Sequence, residues 1–303
     1  MVDPREVKNL WNAEQYQLID FGEGRKLERF GPVILDRPSP AAARKRRARP
    51  DRWPEASVRI SDKLGVDNAG RNTTINAALE MQEIPSASLP GDWSIDFEEI
   101  KLGLRLTPFG HVGVFPEHVV NWKWIVDGRP PGVALNLFAY TGGASLYLAA
   151  HDWKVVHVDA SEPSVAWARQ NASHSGLEKS PVRWIVDDAR EFAARERRRG
   201  RSYDAILLDP PSYGHGPRGK AWQIDRDLPG LLAVCSNLLA SGGRLVLSGH
   251  SDPVAVTESE LRSIFTSGDR AVIQLQSGRL SLLDSSQRLL DCGWYTRLES
   301  LVT

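Results

Sequence analysis

The stretch VALNLFAYTGG, residues 133–143, decides the fold of this chain. A short apolar run leads into a loop with two adjacent glycines, and four more apolar runs follow it along the chain. The runs are continuous rather than alternating and rich in β-branched residues, which is typical of strands buried on both faces of a parallel sheet. The four later runs are KVVHVDA (154–160), VRWIVDD (182–188), YDAILLDPP (203–211) and GRLVLSGHS (243–251).

Helical stretches separate these runs. Ser161 is suited to cap the start of one helix, and Gly176 and Gly200 stand where two helices should end. Strand–helix units repeated in this way predict an α/β, Rossmann-like, doubly wound and mostly parallel sheet, which we assign to residues 111–303. The helical stretches are residues 144–152, 161–176, 189–200 and 225–240.

The N-terminal third has a different texture. Between residues 15 and 106, short alternating segments such as YQLIDFGEG and RFGPVILDRPSP are separated by Gly, Pro and Asp, which is typical of strands and turns. We therefore predict a smaller β-rich domain over residues 1–110 that presents the substrate. The segment ARKRRARPDR within it has no apolar period and is predicted to be a loop.

Composition narrows the class of protein. The 303 residues include 38 Lys and Arg against 38 Asp and Glu, so any surface for polyanions would have to be local. No apolar run approaches the roughly 20 residues of a membrane helix, and the first residues show no apolar signal core. We expect a cytoplasmic protein without membrane association. The two cysteines, Cys235 and Cys292, do not suggest a disulfide framework.

Residues that can contact a ligand follow the predicted strands in order. A glycine loop follows the first strand, Asp159 the second, Asp188 the third and Asp209 the fourth. Doubly wound sheets bind ligands outside the carboxyl ends of their strands, so these residues should line one site. An Asp after a strand is also a common helix N-cap, and for Asp188 that interpretation stands beside the ligand-binding one.

The glycine loop does not suit a dinucleotide. A nicotinamide-binding domain would carry the G-x-G-x-x-G spacing that brings backbone N–H groups and a helix N-terminus to a pyrophosphate, whereas residues 141–145 read TGGAS. A ligand with ribose and adenine but no phosphate fits better. Acidic residues at later strand ends suit a cation, ribose hydroxyls and an adenine amine. The pattern therefore favours S-adenosylmethionine as cofactor.

Residues from about 115 to 250 resemble the class I S-adenosylmethionine-dependent methyltransferases of the large-subunit rRNA methyltransferase type. The N-terminal part does not match the PUA pattern. The resemblance implies a methyltransferase with an RNA substrate that works in RNA methylation and rRNA processing, and it implies a homodimer. It rests, in this order, on LNLFAYTGGASL, VVHVDASEPSVAWARQN, VDDAREF, YDAILLDPPSYG and LLASGGRLVLSGHS.

The resemblance also implies residue roles. The glycine loop would hold the methionine part of the cofactor, the acid after the second strand its ribose, and the acid after the third strand its adenine. The Asp-Pro-Pro motif would border the acceptor. By its chemistry, Tyr213 is suited either to stack on a flat acceptor ring or to pack on the core beside a rigid turn. The implied cofactor-binding residues are Phe115, Asn136, Ala139, Tyr140, Thr141, Gly142, Asp159, Ala160, Asp188 and Asp209, and the implied catalytic residues are Asp209, Pro210, Pro211 and Tyr213.

Two departures from the family pattern bear on the chemistry. Related rRNA enzymes have a segment like FLDQR-x-N-R where residues 115–122 read FPEHVVNW, so contacts of the missing Gln and Arg do not transfer. Enzymes that methylate C5 of cytosine need a cysteine that adds to the ring, but residues 248–251 read SGHS. Cys235 lies in an apolar helix and is interpreted as a core residue. Nitrogen is therefore the favoured acceptor atom.

Three hypotheses stand at this stage. The first is N-methylation of RNA, with rRNA as the acceptor; the second is methyl transfer to a protein or small molecule; the third is a non-catalytic RNA-binding protein with a methyltransferase fold. The basic run at residues 44–49 suits either phosphate contacts or a solvated loop, and the run at 195–201 is explained by a helix C-terminus. No group of His, Cys or acidic residues has metal-ligand spacing, so no metal is expected.

Overall fold

A computed structural model of the chain divides it into two compact units. One contains Asp3–Pro116 together with Ser281–Asp291, and the other contains Glu117–Leu280 together with Cys292–Thr303. The boundary predicted between residues 110 and 111 concerns domains that fold separately, and it stays a prediction. The structure describes residues 9–60, 81–83, 93–107, 110–216, 220–250, 256–266 and 273–300.

The N-terminal unit is built from strands, as its alternating pattern predicts. The strands are β1 (Tyr16–Gly22), β2 (Arg25–Phe30), β3 (Val33–Pro38), β4 (Val58–Ile60), β5 (Met81–Glu83), β6 (Trp93–Phe97) and β7 (Ile100–Leu104), with 3₁₀ turns at Pro40–Ala42 and Pro50–Glu55. The larger sheet has the order β1-β2-β3-β4-β5, in which β3 and β4 run parallel. Strands β6 and β7 form a separate hairpin.

Buried charges pair within this sheet. Glu28 on β2 accepts hydrogen bonds from Arg37 Nε and, at 2.8 Å, from the Tyr16 hydroxyl. Burial by itself would raise the pKa of Glu28, but the positive charges of Arg37 and Lys26 and these hydrogen bonds lower it to about 2. The buried carboxylate is therefore ionised at neutral pH and fully paired.

The second unit carries the doubly wound sheet, and the predicted α/β fold is confirmed. Its strands are β8 (Val133–Leu137), β9 (Lys154–Asp159), β10 (Val182–Val186), β11 (Tyr203–Leu208), β12 (Tyr213–His215), β13 (Ala221–Gln223), β14 (Leu239–Gly249), β15 (Ile273–Leu283) and β16 (Leu289–Ser300). All of these except β12 and β13 form one sheet with the order β10-β9-β8-β11-β14-β16-β15. The first five strands in this order run parallel, and β16 runs antiparallel to β14.

The helices begin and end close to the predicted positions. Ser161 Oγ accepts a hydrogen bond from the backbone N–H of Ser164 at 3.3 Å, which confirms the predicted N-cap. Gly176 and Gly200 follow two helix ends with φ of 68° and 63°. The helices are α1 (Val119–Val126), α2 (Gly143–Ala150), α3 (Glu162–His174), α4 (Ala189–Arg198), α5 (Ile224–Leu238) and α6 (Glu258–Phe265).

The main core of this unit lies between the central strands and the helices α4, α5 and α6. Cys235 on α5 is fully buried there, and burial raises the pKa of its thiol to about 12. Its interpretation as a core residue is therefore confirmed. In the described part of the chain, none of the helices has the length and apolar character needed to cross a membrane.

Candidate functional site

The site lies at the point in the sheet where the order of the strands reverses. From β8 the chain builds outward to β9 and β10, and it then returns to add β11 on the other side of β8. Such a switch point opens a crevice at the carboxyl ends of the two central strands. The loop after β8, Asp159 after β9 and Asp209 after β11 all lie at these strand ends, as the sequence predicts.

The loop after β8 has an unusual backbone. Phe138, Tyr140 and Gly142 all have positive φ, at 57°, 50° and 90°. A Cβ atom at Gly142 would lie 2.9 Å from the Cβ of Ala168 on α3, so only glycine allows this close approach. Left-handed backbone at two non-glycine residues is strained and persists only where surrounding contacts hold it.

Asp159 supplies those contacts. Its Oδ2 accepts a hydrogen bond from the Tyr140 N–H at 2.8 Å, and its Oδ1 accepts one from the Ser161 N–H at 2.8 Å. Burial raises the pKa of Asp159, while the two backbone hydrogen bonds lower it by less. One carboxylate therefore shapes the loop after β8 and the entrance to α3, and it stands at the carboxyl end of β9.

A buried polar network lies beneath the same loop. Asn136 donates to Ser145 Oγ at 2.9 Å, and Ser145 Oγ is 3.0 Å from His157 Nδ1. Burial lowers the pKa of His157 to about 3, so this imidazole is neutral at physiological pH. Asn136 thus has a structural partner, and its cofactor contact stays a prediction. Sequence reasoning missed Ser145 and His157, whose polar character in apolar segments was the available signal.

Asp188 caps helix α4. Its carboxylate accepts hydrogen bonds from the backbone N–H groups of Arg190 and Glu191, and it forms an ion pair with the Arg190 guanidinium at 2.7 Å. Burial opposes ionisation, but the contacts with Arg190 outweigh it and lower the pKa of Asp188. The N-cap interpretation is confirmed, and an adenine contact by the same residue stays a prediction.

Asp209 is held from two sides. Ser248 Oγ at the end of β14 donates to its Oδ1 at 2.8 Å, and His118 Nε2 lies 3.4 Å from its Oδ2. The motif that follows is also fixed, because the Pro211 carbonyl accepts a hydrogen bond from Trp222 Nε1 at 2.6 Å. The Asp-Pro-Pro segment is therefore a rigid turn with a positioned carboxylate.

The segment after this turn is a hairpin, β12–β13, rather than a loop throughout. Trp222 anchors it, with its ring 4.8 Å from that of Phe138. Lys220 pairs with Glu191 on α4 at 2.6 Å. Tyr213 has 59% of its surface exposed, which rules out packing on the core and leaves its ring accessible for stacking.

Three residues that the sequence did not group meet beside Asp209. Glu117 and His118 precede α1, His250 follows β14, and one ligand-type atom from each lies within 4.8 Å of the others. Because His250 is far from Glu117 and His118 along the chain, spacing in the sequence does not indicate this arrangement. The only available signal was the FPEH segment, which departs from the pattern of the rRNA enzymes.

For two of the predicted cofactor-binding residues, the structure gives little information about a cofactor contact. Ala160 follows Asp159 directly and is half-buried. Phe115 belongs to the N-terminal unit, where its ring lies 5.1 Å from that of His111. Contacts of both residues with a cofactor stay predictions.

The arrangement favours a ligand with hydroxyl and cationic groups. The N–H groups of Tyr140 and Gly142 bind Asp159 and the Ala139 carbonyl, so these two N–H groups are not available to a phosphate. Carboxylates at the ends of β9 and β11 repel phosphates and attract cations. The site therefore differs from a dinucleotide pocket in charge as well as in glycine spacing.

Comparison with known proteins agrees with this geometry. Residues 82–263 match the profile of a family described as S-adenosylmethionine-dependent methyltransferase. The crystal structure of a SAM-dependent methyltransferase from Agrobacterium tumefaciens is similar, with a TM-score of 0.80 and 35% sequence identity. That similarity covers 94% of this chain and 90% of the other.

Curated relatives include ribosomal RNA large subunit methyltransferases K/L. The protein from Shewanella frigidimarina is 31% identical over 152 residues, which cover 50% of this chain and 21% of that protein. The protein from Pseudoalteromonas atlantica is 33% identical over 152 residues, with the same coverage. The matched region thus spans about a fifth of the length of these relatives.

Proposed function

Because the chain belongs to the S-adenosylmethionine-dependent methyltransferase family, we propose that it methylates a nitrogen atom of RNA, with ribosomal RNA as the acceptor. The position of Asp209 carries this proposal. Ser248 holds its carboxylate at the end of β11, and two prolines follow it directly. A carboxylate fixed in this way can accept a hydrogen bond from an N–H group of a base.

S-adenosylmethionine is the cofactor, and it fits the residues present. The loop after β8 has two of its N–H groups bonded within the protein, which suits a cofactor without phosphates, and Asp159 offers a carboxylate for ribose hydroxyls. We assign the methionine part to residues 139–142, the ribose to Asp159 and the adenine to the strand end at Asp188. When bound, the cofactor supplies a methyl group on a sulfonium.

Methyl transfer from a sulfonium is an in-line displacement, so the protein chiefly supplies proximity and alignment. Asp209 accepts a hydrogen bond from an N–H group of the acceptor and turns the nitrogen lone pair toward the methyl group. As the N–C bond forms, the S–C bond breaks and a neutral thioether leaves, and the nitrogen loses its proton through Asp209 to solvent. Pro210 restricts the backbone that carries Asp209. Since Trp222 occupies the Pro211 carbonyl, we assign Pro211 to holding the turn rather than to binding the acceptor.

An RNA acceptor is supported by two observations. The curated relatives are named as ribosomal RNA methyltransferases. In the N-terminal unit, the side chains of Arg44, Lys45 and Arg46 are exposed. The residues that follow them in this loop are held in place by contacts with the rest of the unit. Ala48 N–H bonds Asp20 at 3.1 Å, and the Arg47 guanidinium stacks 3.8 Å from the centre of a tryptophan ring. Three outward cations suit contacts with phosphates.

The test uses cofactor labelled in its methyl group. The protein is incubated with rRNA from a strain that lacks its gene, and label is measured in RNA, protein and small molecules. We expect label in RNA, and an Asp209→Ala variant should slow its incorporation by about a hundredfold because the acceptor is misplaced. Asp225→Asn, an exposed change on α5, is the control and should leave the rate unchanged.

The acceptor atom follows from the labelled RNA. After digestion to nucleosides, label should elute with an N-methylated nucleoside. Label in 5-methylcytidine would refute nitrogen as the acceptor, and label only in protein or in a small molecule would refute the RNA proposal. Calorimetric titration without any binding of S-adenosylmethionine would favour the non-catalytic hypothesis.

Location and assembly belong to the same proposal. We propose that the enzyme works in the cytoplasm, because the ribosomal RNA in the names of its bacterial relatives is found there. The homodimer stays a prediction of the family resemblance. Sedimentation equilibrium of the purified chain would measure it, and a mass of one chain at all concentrations would contradict it.

A further inference from the structure

The side chain of Glu117 is largely buried and offers an unused carboxylate. Only 6% of its surface is exposed. Within the described residues, its carboxylate makes no hydrogen bond and no ion pair. Carboxylates in such positions usually pair with a cation or coordinate a metal ion. Among the described side chains none pairs with Glu117, and a bound cation would supply that partner.

Two imidazoles lie next to this carboxylate. His118 follows it in the 3₁₀ turn Pro116–His118, and His250 approaches from the end of β14. Their rings are 5.9 Å apart and steeply inclined. One nitrogen of each and one oxygen of Glu117 all lie within 4.8 Å of one another, a spacing that a single ion can bridge after small side-chain movements.

The orientation of the His250 ring suits coordination of a metal ion. Its Nδ1 is 2.8 Å from the carbonyl oxygen of Cys292, so Nδ1 carries the proton and donates to that oxygen. In the tautomer with its single proton on Nδ1, the lone pair is on Nε2. A ligating histidine characteristically donates its other N–H to a backbone carbonyl or a carboxylate, which fixes the ring and its tautomer.

We propose that Glu117, His118 and His250 form a binding site for a divalent transition-metal ion, with Zn²⁺ as the preferred ion. Two imidazoles and one carboxylate are a donor set that zinc accepts, with one tetrahedral position left open. The Asp209 carboxylate, 3.4 Å from His118 Nε2, brings a second negative charge to the cluster. Glu117 and Asp209 together balance an ion of charge +2.

This site borders the residue to which we assign the acceptor N–H, because the ion would lie beside Asp209. A fourth ligand of the ion would come from a bound molecule with a lone pair. The proposal does not rest on methyl transfer, because the donor set and the unused carboxylate of Glu117 stand without it. It replaces the expectation of no metal, which considered spacing along the sequence only.

Cobalt is the probe, because Co²⁺ in a site with nitrogen and oxygen ligands has visible d–d absorption. The full chain is treated with chelator, dialysed and titrated with Co²⁺, and Zn²⁺ is then added. We expect an absorption that saturates at one equivalent and disappears with Zn²⁺. Absence of the absorption, or persistence after Zn²⁺, would overturn the proposal.

Three variants locate the ion. His250→Ala and Glu117→Gln each remove a ligand, and their Co²⁺ affinity should fall by more than the roughly 10–100-fold loss typical of substituting a residue that only orients a ligand. His174→Ala removes an exposed histidine at the end of α3 and should bind as the unmodified chain does. Equal binding by all variants would place the ion elsewhere and refute the site.

Thermal unfolding gives a readout independent of colour and of catalysis. Without metal, Glu117→Gln should unfold at the same or a higher temperature than the unmodified chain, since the substitution removes no hydrogen bond or ion pair among the described residues. Added Zn²⁺ should raise the unfolding temperature of the unmodified chain only. A marked loss of stability in metal-free Glu117→Gln would show that the carboxylate has a structural partner and would contradict the proposal.

Discussion

Asp159 Oδ2 accepts a hydrogen bond from the Tyr140 N–H at 2.8 Å, and this bond joins the end of β9 to the loop after β8. The same carboxylate is the one we assign to the cofactor ribose. On this assignment, a single side chain shapes the loop and would also bind the cofactor. Its removal should therefore affect cofactor binding more than the loss of one ligand contact would.

Asp159→Ala should weaken S-adenosylmethionine binding by roughly ten- to hundredfold, since hydrogen bonds to a charged group contribute about 1.5–3 kcal/mol. Isothermal titration calorimetry measures the change. Asp159→Asn keeps an acceptor for Tyr140 and should lose less affinity than the alanine variant. Equal affinity of Asp159→Ala and the unmodified chain would contradict the assignment.

The exposed ring of Tyr213 should matter for the RNA acceptor and not for the cofactor. Stacking of a base on an aromatic ring contributes about 1–3 kcal/mol, so Tyr213→Ala should raise the KM for RNA by roughly five- to hundredfold. Tyr213→Phe retains the ring and should behave like the unmodified chain. A loss of cofactor affinity in titrations, with KM for RNA unchanged, would show that the ring has another role.

Neither cysteine should be needed for methyl transfer. Cys235 is buried in the core, and Cys292 contacts His250 through its backbone carbonyl. Cys235→Ala and Cys292→Ala should both retain label incorporation into RNA within about twofold, because nitrogen methylation needs no covalent adduct. If Cys292→Ala abolished incorporation, a covalent mechanism would replace the one proposed here.

Glu28 should make the N-terminal unit sensitive to acid. Its folded pKa of about 2 lies below the ordinary value of 4.5, so its stabilisation is complete above about pH 4.5 and is lost as the pH falls toward 2. Glu28→Gln should lower the free energy of unfolding by about 3–5 kcal/mol at pH 7, because the buried Arg37 guanidinium loses the negative charge that Glu28 supplies. Urea unfolding between pH 2 and 7 measures the difference, which should narrow as the pH falls. Glu55→Gln, at an exposed ion pair with Arg52, should change little.

His157 should add a pH dependence of stability in the second unit. Its pKa of about 3 in the folded chain lies below the ordinary 6.5, so protonation favours the unfolded state. Stability is greatest above pH 6.5 and falls by up to about 1.4 kcal/mol per pH unit as the pH drops toward 3. His157→Phe should flatten this dependence by close to one proton. His174→Ala should retain it, and the same slope in both variants would refute the assignment.

The fold of the second unit follows from local pattern. The runs that begin at Val133, Lys154 and Val182 are strands in the structure, and the helices α3 and α4 end just before Gly176 and Gly200, the two glycines that the sequence marks as helix ends. Burial on both faces requires continuous apolar runs, so strand type is visible in a few residues. Strand ends are visible for the same reason, which is why Asp159 and Asp209 were found.

Local sequence was thus enough for the α/β architecture, the loop after β8 and the acids at the strand ends, since each depends on residues within one strand–helix unit. Tertiary structure alone decided which distant side chains meet. It placed Trp222 on the Pro211 carbonyl, brought His250 to Glu117 and His118, and assigned residues 281–291 to the N-terminal unit. Such contacts depend on how strands and helices pack across long stretches of chain, and no local spacing records that packing.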